Sequence, residues 1–122
     1  MTTTNNSAHV HHIRTTPFVD LEPIYKCHNL PVLPLEYIEC GNSWARAAAS
    51  CWGWDYWDAG ESYFSAARAF ESVTESDLRE LGEAVAQVLW ADVLKSAAES
   101  RAAGIDAWEA DNRERSLSTP HS

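Results

Sequence analysis

Cations are scarce in this chain. Nine lysines and arginines stand against eighteen aspartates and glutamates, for a formal net charge of −9. That balance argues against a surface that neutralises phosphates, so no direct binding to DNA, RNA or an anionic membrane is expected, and a basic partner suits the chain better. Long apolar runs are also missing. Nothing approaches the roughly 20 residues that a bilayer-spanning helix needs, and the start MTTTNNSAHVHHIR has no apolar signal-peptide segment, so a cytoplasmic location is expected. Cysteine is limited to Cys27, Cys40 and Cys51, an odd number. Without a secretion signal these read as reduced, buried thiols and not as a disulfide framework. No C-x2-C pair is present to pre-organise a metal site from Cys27, His28, Cys40 and Cys51, and His9, His11 and His12 fall in a polar N-terminal segment, so no metal is assigned.

Catalytic signatures are absent too. The chain contains no glycine-rich phosphate loop, no H-E-x-x-H, no G-x-S-x-G and no Glu-x-x-His pair of the di-iron kind. Cys27 lies beside His28, but neighbours on an extended segment point to opposite sides, and no carboxylate is evident to orient the imidazole. A function without turnover and without a cofactor is expected.

With 122 residues the chain suits a single domain. Residues 1–16 read as a flexible tail, 17–115 as one mostly helical domain, and 116–122 as a disordered tail. Four prolines, Pro17, Pro23, Pro31 and Pro34, bias residues 17–34 toward an extended arm, and the apolar residues between them imply that the arm packs across the domain. Helices are expected over 35–115. A short one, PLEYIEC, ends at Gly41, and a second, capped by Asn42 or Ser43, carries SWARAAASCWGWDYWDA, weakened by Gly53. A third follows Gly60. A fourth starts at Thr74 or Ser76 and closes at Gly104, with Leu78, Leu81, Val85, Val88, Leu89, Asp92 and Val93 on one stripe that Trp90, Leu94 and Ala97 widen, implying burial against more than one neighbour. Asp106 caps a last helix, AWEADNRER. The expected fold class is mostly α: a small helical bundle of about four to five helices with an extended, proline-rich N-terminal arm.

What the chain does have is a dense aromatic stretch. CWGWDYWDAG, residues 51–60, holds three of the six tryptophans. Trp52, Trp54, Tyr56, Trp57, Tyr63 and Phe64 point in nearly every direction around a helix axis, so some must be exposed or covered by a partner. Around them, residues 54–83 carry eight acids and two arginines. Asp55 and Asp58 would share a helix face one turn apart, where an acid and a base can work, although like charges at that spacing also decorate ordinary acidic surfaces. Rings with an acidic rim are what a contact with a basic protein groove requires. Trp54 and Trp57 are the candidate anchors, and Asp55, Asp58 and Glu61 the candidate contacts to partner lysines or arginines.

The run WGWDYW, Trp52 to Trp57, beside alanine-rich helices in a small acidic chain, resembles a stretch in phage anti-CRISPR proteins that act on type I CRISPR-Cas systems. The resemblance implies a non-enzymatic, cofactor-free inhibitor in the cytoplasm of a bacterial host. Its implied partner is the recruited helicase-nuclease, with target DNA degradation blocked. An acidic DNA mimic acting on the surveillance complex is a second implication. The same residues would also suit a small antitoxin-like or assembly protein that forms a homodimer.

Overall fold

The computed structural model describes residues 16–27 and 33–118. Five helices lie along them: α1 Glu22–Cys27, α2 Leu33–Cys51, α3 Tyr56–Glu71, α4 Glu75–Leu81 and α5 Glu83–Ser118. No strand occurs among the described residues. The mostly helical bundle expected from the sequence is therefore what the chain forms. Helix α3 packs against both α2 and α5, and the short α4 lies against α5. No described helix is long and apolar enough to cross a membrane.

The apolar spacing explains the packing. Helix α3 buries Ala59, Gly60, Tyr63, Ala66, Ala67 and Phe70, a repeat of three and four that keeps one face inward. Around Phe70, the larger cluster takes Leu35 and Ile38 from α2, Leu78 from α4, and Leu89 and Val93 from α5. A smaller cluster, built on Ala48, Trp52, Ala59, Tyr63, Ala103 and Ala107, closes the other end. Because most of its members are alanines, the three long helices approach closely there.

The proline-rich segment is less extended than expected. Residues 16–21 are non-helical, but α1 follows, with Pro23 as its second residue, and α2 has Pro34 as its second. Proline is harmless in a first turn, where its missing N–H would have had no helical partner. Residues 28–32, including Pro31 and His28, lie outside the described residues, as do 1–15 and 119–122.

Asn42 is not a cap. It is buried inside α2, where its Oδ1 accepts from Val19 N–H and its Nδ2 donates to Val19 C=O, both at 2.9 Å. One side chain thus satisfies both backbone groups of a buried residue that no sheet or helix serves. Asn42→Ala is expected to cost about 2–3 kcal/mol, because two buried polar groups lose their partner. The measurement is the urea midpoint, and an unchanged midpoint would show that the 16–21 segment is held by its apolar side chains alone.

The glycines depart furthest from expectation. Gly41, Gly60 and Gly104 do not end helices; they lie within α2, α3 and α5. A Cβ at Gly41 would sit 2.6 Å from Cε1 of Phe70, one at Gly104 would sit 3.0 Å from the Phe64 ring, and one at Gly60 would run into the Trp108 indole. The breaks fall instead at Gly53, with φ 99°, and Gly82, with φ 136°, conformations that L side chains resist. Gly82 splits the expected fourth helix into α4 and α5. Of its two candidate caps Thr74 is the one used, accepting from Asp77 N–H at 3.1 Å. With no stop at Gly104, α5 absorbs the expected last helix, Asp106 falls in its interior, and it runs past residue 115 to Ser118.

Candidate protein-binding face around Trp54 and Trp57

The expected helix 43–59 is interrupted at Trp52–Asp55. Trp54 N–H and Asp55 N–H both donate to Cys51 C=O, at 3.2 and 2.9 Å, which closes the end of α2 in a tight turn around Gly53. Asp55 then caps α3, its carboxylate accepting from Asp58 N–H at 3.1 Å. Such a cap contributes about 1 kcal/mol. Asp55, expected as a partner contact, therefore has a structural task as well.

The turn sorts the aromatic rings. Trp52 is buried, edge-on to Tyr56 at 5.1 Å and to Tyr63 at 6.4 Å. Trp54 is the opposite case, with 79% of its surface exposed. Its Nε1–H donates to Ser50 C=O at 2.8 Å, so the indole is tethered over the end of α2 while its faces remain in solvent. Trp57 is about half exposed and stacks on Trp108 of α5, with centroids 5.4 Å apart and planes 11° from parallel. Trp108 in turn rests on Phe64 at 4.6 Å. Phe64, Trp108 and Trp57 thus form a ladder of rings between α3 and α5.

Each end of the ladder carries an arginine. The Arg115 guanidinium lies 5.6 Å from the centre of Trp57, and its Nε is 2.9 Å from Asp111. Arg101 lies 5.9 Å from the centre of Phe64 and holds the Glu71 carboxylate with two bonds of 2.6 and 3.0 Å. That carboxylate keeps the Arg101 pKa above its ordinary value, by hydrogen bonding first and then by charge. The rim is consequently mixed in sign and not purely acidic. Trp108 and Arg115 were not foreseen as part of the face, because the expected stop at Gly104 separates them from the rest of α5.

Acids occupy the other side. Asp58 and Glu61 are exposed on the first turns of α3, three residues apart and so on neighbouring positions of the helix surface. The Asp58 carboxyl is pushed above the ordinary aspartate range, chiefly by the charge of Asp55, then by its hydrogen bond with that residue, by partial desolvation and by Glu61. Since the folded-state pKa is raised, this group favours the fold most at low pH, and that contribution is lost as pH rises through the raised value. A cation brought to the site would relieve the repulsion. All five residues named from the sequence, Trp54, Asp55, Trp57, Asp58 and Glu61, therefore lie on the α2–α3 turn and the start of α3, with Trp54 and Trp57 presenting rings and Asp58 and Glu61 presenting charge.

An open groove of about 530 Å³, lined by Phe18, Asp20, Tyr25, Glu39 and Arg46 among others, lies away from Asp55 and Asp58. Among the described residues no group of three or more His, Cys, Asp or Glu is arranged to hold a metal ion. Two of the thiols are not buried as expected: Cys40 is exposed and Cys51 half-buried, both as free thiols, while His9, His11, His12 and His28 lie outside the described residues. No protein-family model, curated protein or solved structure matches the chain.

Proposed function

We propose that this protein is a non-enzymatic inhibitor that acts by binding a protein with a basic surface, and that the Trp54–Trp57 face makes the contact. The observation that carries the proposal is Trp54. A large ring exposed over 79% of its surface, yet held in place through its own N–H, contributes little to the core and is pre-organised to enter a pocket. Trp57 extends the apolar area, and Asp58 and Glu61 supply charge for lysines or arginines on the partner. The resemblance of Trp52–Trp57 nominates the partner: the helicase-nuclease recruited by a type I CRISPR-Cas complex in a bacterial cytoplasm, whose target DNA degradation would be blocked. Exposed indoles and the guanidinium groups of Arg101 and Arg115 are poor imitations of a phosphate backbone. They favour docking on the nuclease over DNA mimicry at the surveillance complex.

The test is capture of purified type I components by the tagged full-length chain, with DNA binding and cleavage followed in parallel. Capture of the helicase-nuclease, loss of cleavage and intact DNA binding by the complex are expected. Capture of the surveillance complex with DNA binding lost would transfer the reading to mimicry, and capture of neither would remove this partner.

A further inference from the structure

The outer face of α5 is apolar as well as the inner one. Val85, Leu89, Val93 and Ala97 are buried, whereas Leu94 and Ile105 are exposed over 51% and 49% of their surface, and Ala91, Ala98 and Ala102 are exposed with them. A surface helix needs only one apolar stripe. The wide face expected to bury itself against more than one neighbour does meet both α3 and α4, but Val88, Asp92 and Leu94, expected on that face, are exposed, because the two neighbours cover only part of its circumference.

The outer stripe is ordered symmetrically. Ala91, Leu94, Ala98, Ala102 and Ile105 follow one another at steps of three, four, four and three. The pattern reads the same in both directions about Ala98 and spans two heptads, or about 21 Å of helix at 1.5 Å per residue. An antiparallel second copy of the helix, related by a twofold axis at Ala98, sets Leu94 against Ala102, Ile105 against Ala91, and Ala98 against itself. Each large side chain meets a small one. That match allows two helices to pack closely, and it belongs to an isologous contact, in which one patch serves both copies.

Charge supports the same register. Lys95 and Glu99 are both exposed on one flank of the stripe, and the ion pairs found among the described residues engage neither of them. Under the twofold, Lys95 comes within about 3 Å, along the axis, of the height of Glu99 in the partner copy, and the reciprocal pair forms on the other side of the axis. The polar residues Gln87 and Glu109 face each other at the two ends and close the apolar strip.

We propose that the outer face of α5, from Ala91 to Ile105, is a self-association surface that pairs two copies of this chain antiparallel about Ala98. The stripe contains neither Trp54 nor Trp57, although its Ile105 end adjoins Arg101 and Trp108 of the ring ladder, and its test does not depend on the inhibitor reading. Sedimentation velocity of the full-length chain should show a dimer that dissociates on dilution. Ala98→Glu, which brings two carboxylates together at the axis, should leave a monomer with unchanged helical circular dichroism. Lys95→Glu and Glu99→Lys should each raise the dimer dissociation constant by about tenfold. The double exchange Lys95→Glu with Glu99→Lys should restore it, while Trp54→Ala with Trp57→Ala should leave it unchanged. A monomer at every concentration overturns the proposal, as does a dimer that survives Ala98→Glu or one abolished by the tryptophan pair. Failure of the double exchange to recover the dimer overturns the antiparallel register.

Discussion

Truncating Phe70 to alanine is expected to lower the stability of the bundle by about 3–5 kcal/mol, and to reverse the sign of a second substitution twenty-nine residues away. Phe70 is fully buried and belongs to the larger core cluster, where residues of α2, α4 and α5 also meet. Its ring fills the space in which a side chain at position 41 would begin. In the native background Gly41→Ala forces that ring aside and should cost about 1–3 kcal/mol as overpacking, more than the roughly 1 kcal/mol that replacing a mid-helix glycine returns. With Phe70 already removed the steric cost disappears and only the helical gain remains. Gly41→Ala should then stabilise. The measurement is chemical denaturation of the four proteins of the cycle, and effects that simply add would show that Gly41 is not kept for the contact with Phe70.

The same contact explains why the helices were legible in the sequence and their ends were not. Apolar spacing, alanine content and the Thr74 cap are local signals, and they identified helical chain correctly nearly throughout. Glycine is ambiguous at that level. At Gly53 and Gly82 the backbone has positive φ and the helix stops; at Gly41, Gly60 and Gly104 the backbone stays helical and the missing Cβ makes room for Phe70, Trp108 and Phe64. Nothing in the neighbouring residues distinguishes these uses, because the ring that needs the space comes from another helix. Asn42 shows the same limit. Its position before an alanine-rich run suits a cap, but its amide is taken up by the backbone of Val19, twenty-three residues earlier.

The candidate face was legible in part. Crowded rings at Trp52–Phe64 imply exposure of some of them, but which ones depends on the turn at Gly53, which sends Trp52 inward and leaves Trp54 outside. The cap formed by Asp55 is readable from its place before Tyr56 only once that break is known. Trp108 and Arg115 join the face through the uninterrupted length of α5, for which the sequence carries no clear local sign. The consequence is a mixed rim in which acids lie on α3 and guanidinium groups on α5.

Trp54→Ala is expected to weaken partner binding by about 2–4 kcal/mol, or roughly 30-fold to 700-fold, while the fold loses less than about 1 kcal/mol. The separation follows from where the ring sits. An indole exposed over 79% of its surface has little buried area to lose in the free protein, and its one described hydrogen bond, to Ser50 C=O, leaves behind a carbonyl at a helix end that water can reach. On binding, the same ring would bury most of its surface. Trp57→Ala should weaken binding too, but it also removes the stack on Trp108 and the Arg115 contact, so part of its effect would be structural. Trp54→Phe separates the two contributions of the anchor, since it keeps most of the apolar area and loses the N–H that holds the ring in place. It should fall between the native chain and the alanine variant, with a faster dissociation rate. Titration calorimetry and dissociation kinetics against the captured partner, with thermal melts of each free variant, provide the test. Affinity unchanged by Trp54→Ala would detach this ring from the contact and leave the Trp57–Trp108–Phe64 ladder as an interhelical brace. A large drop in melting temperature would instead place Trp54 among the residues that hold α2 and α3 together.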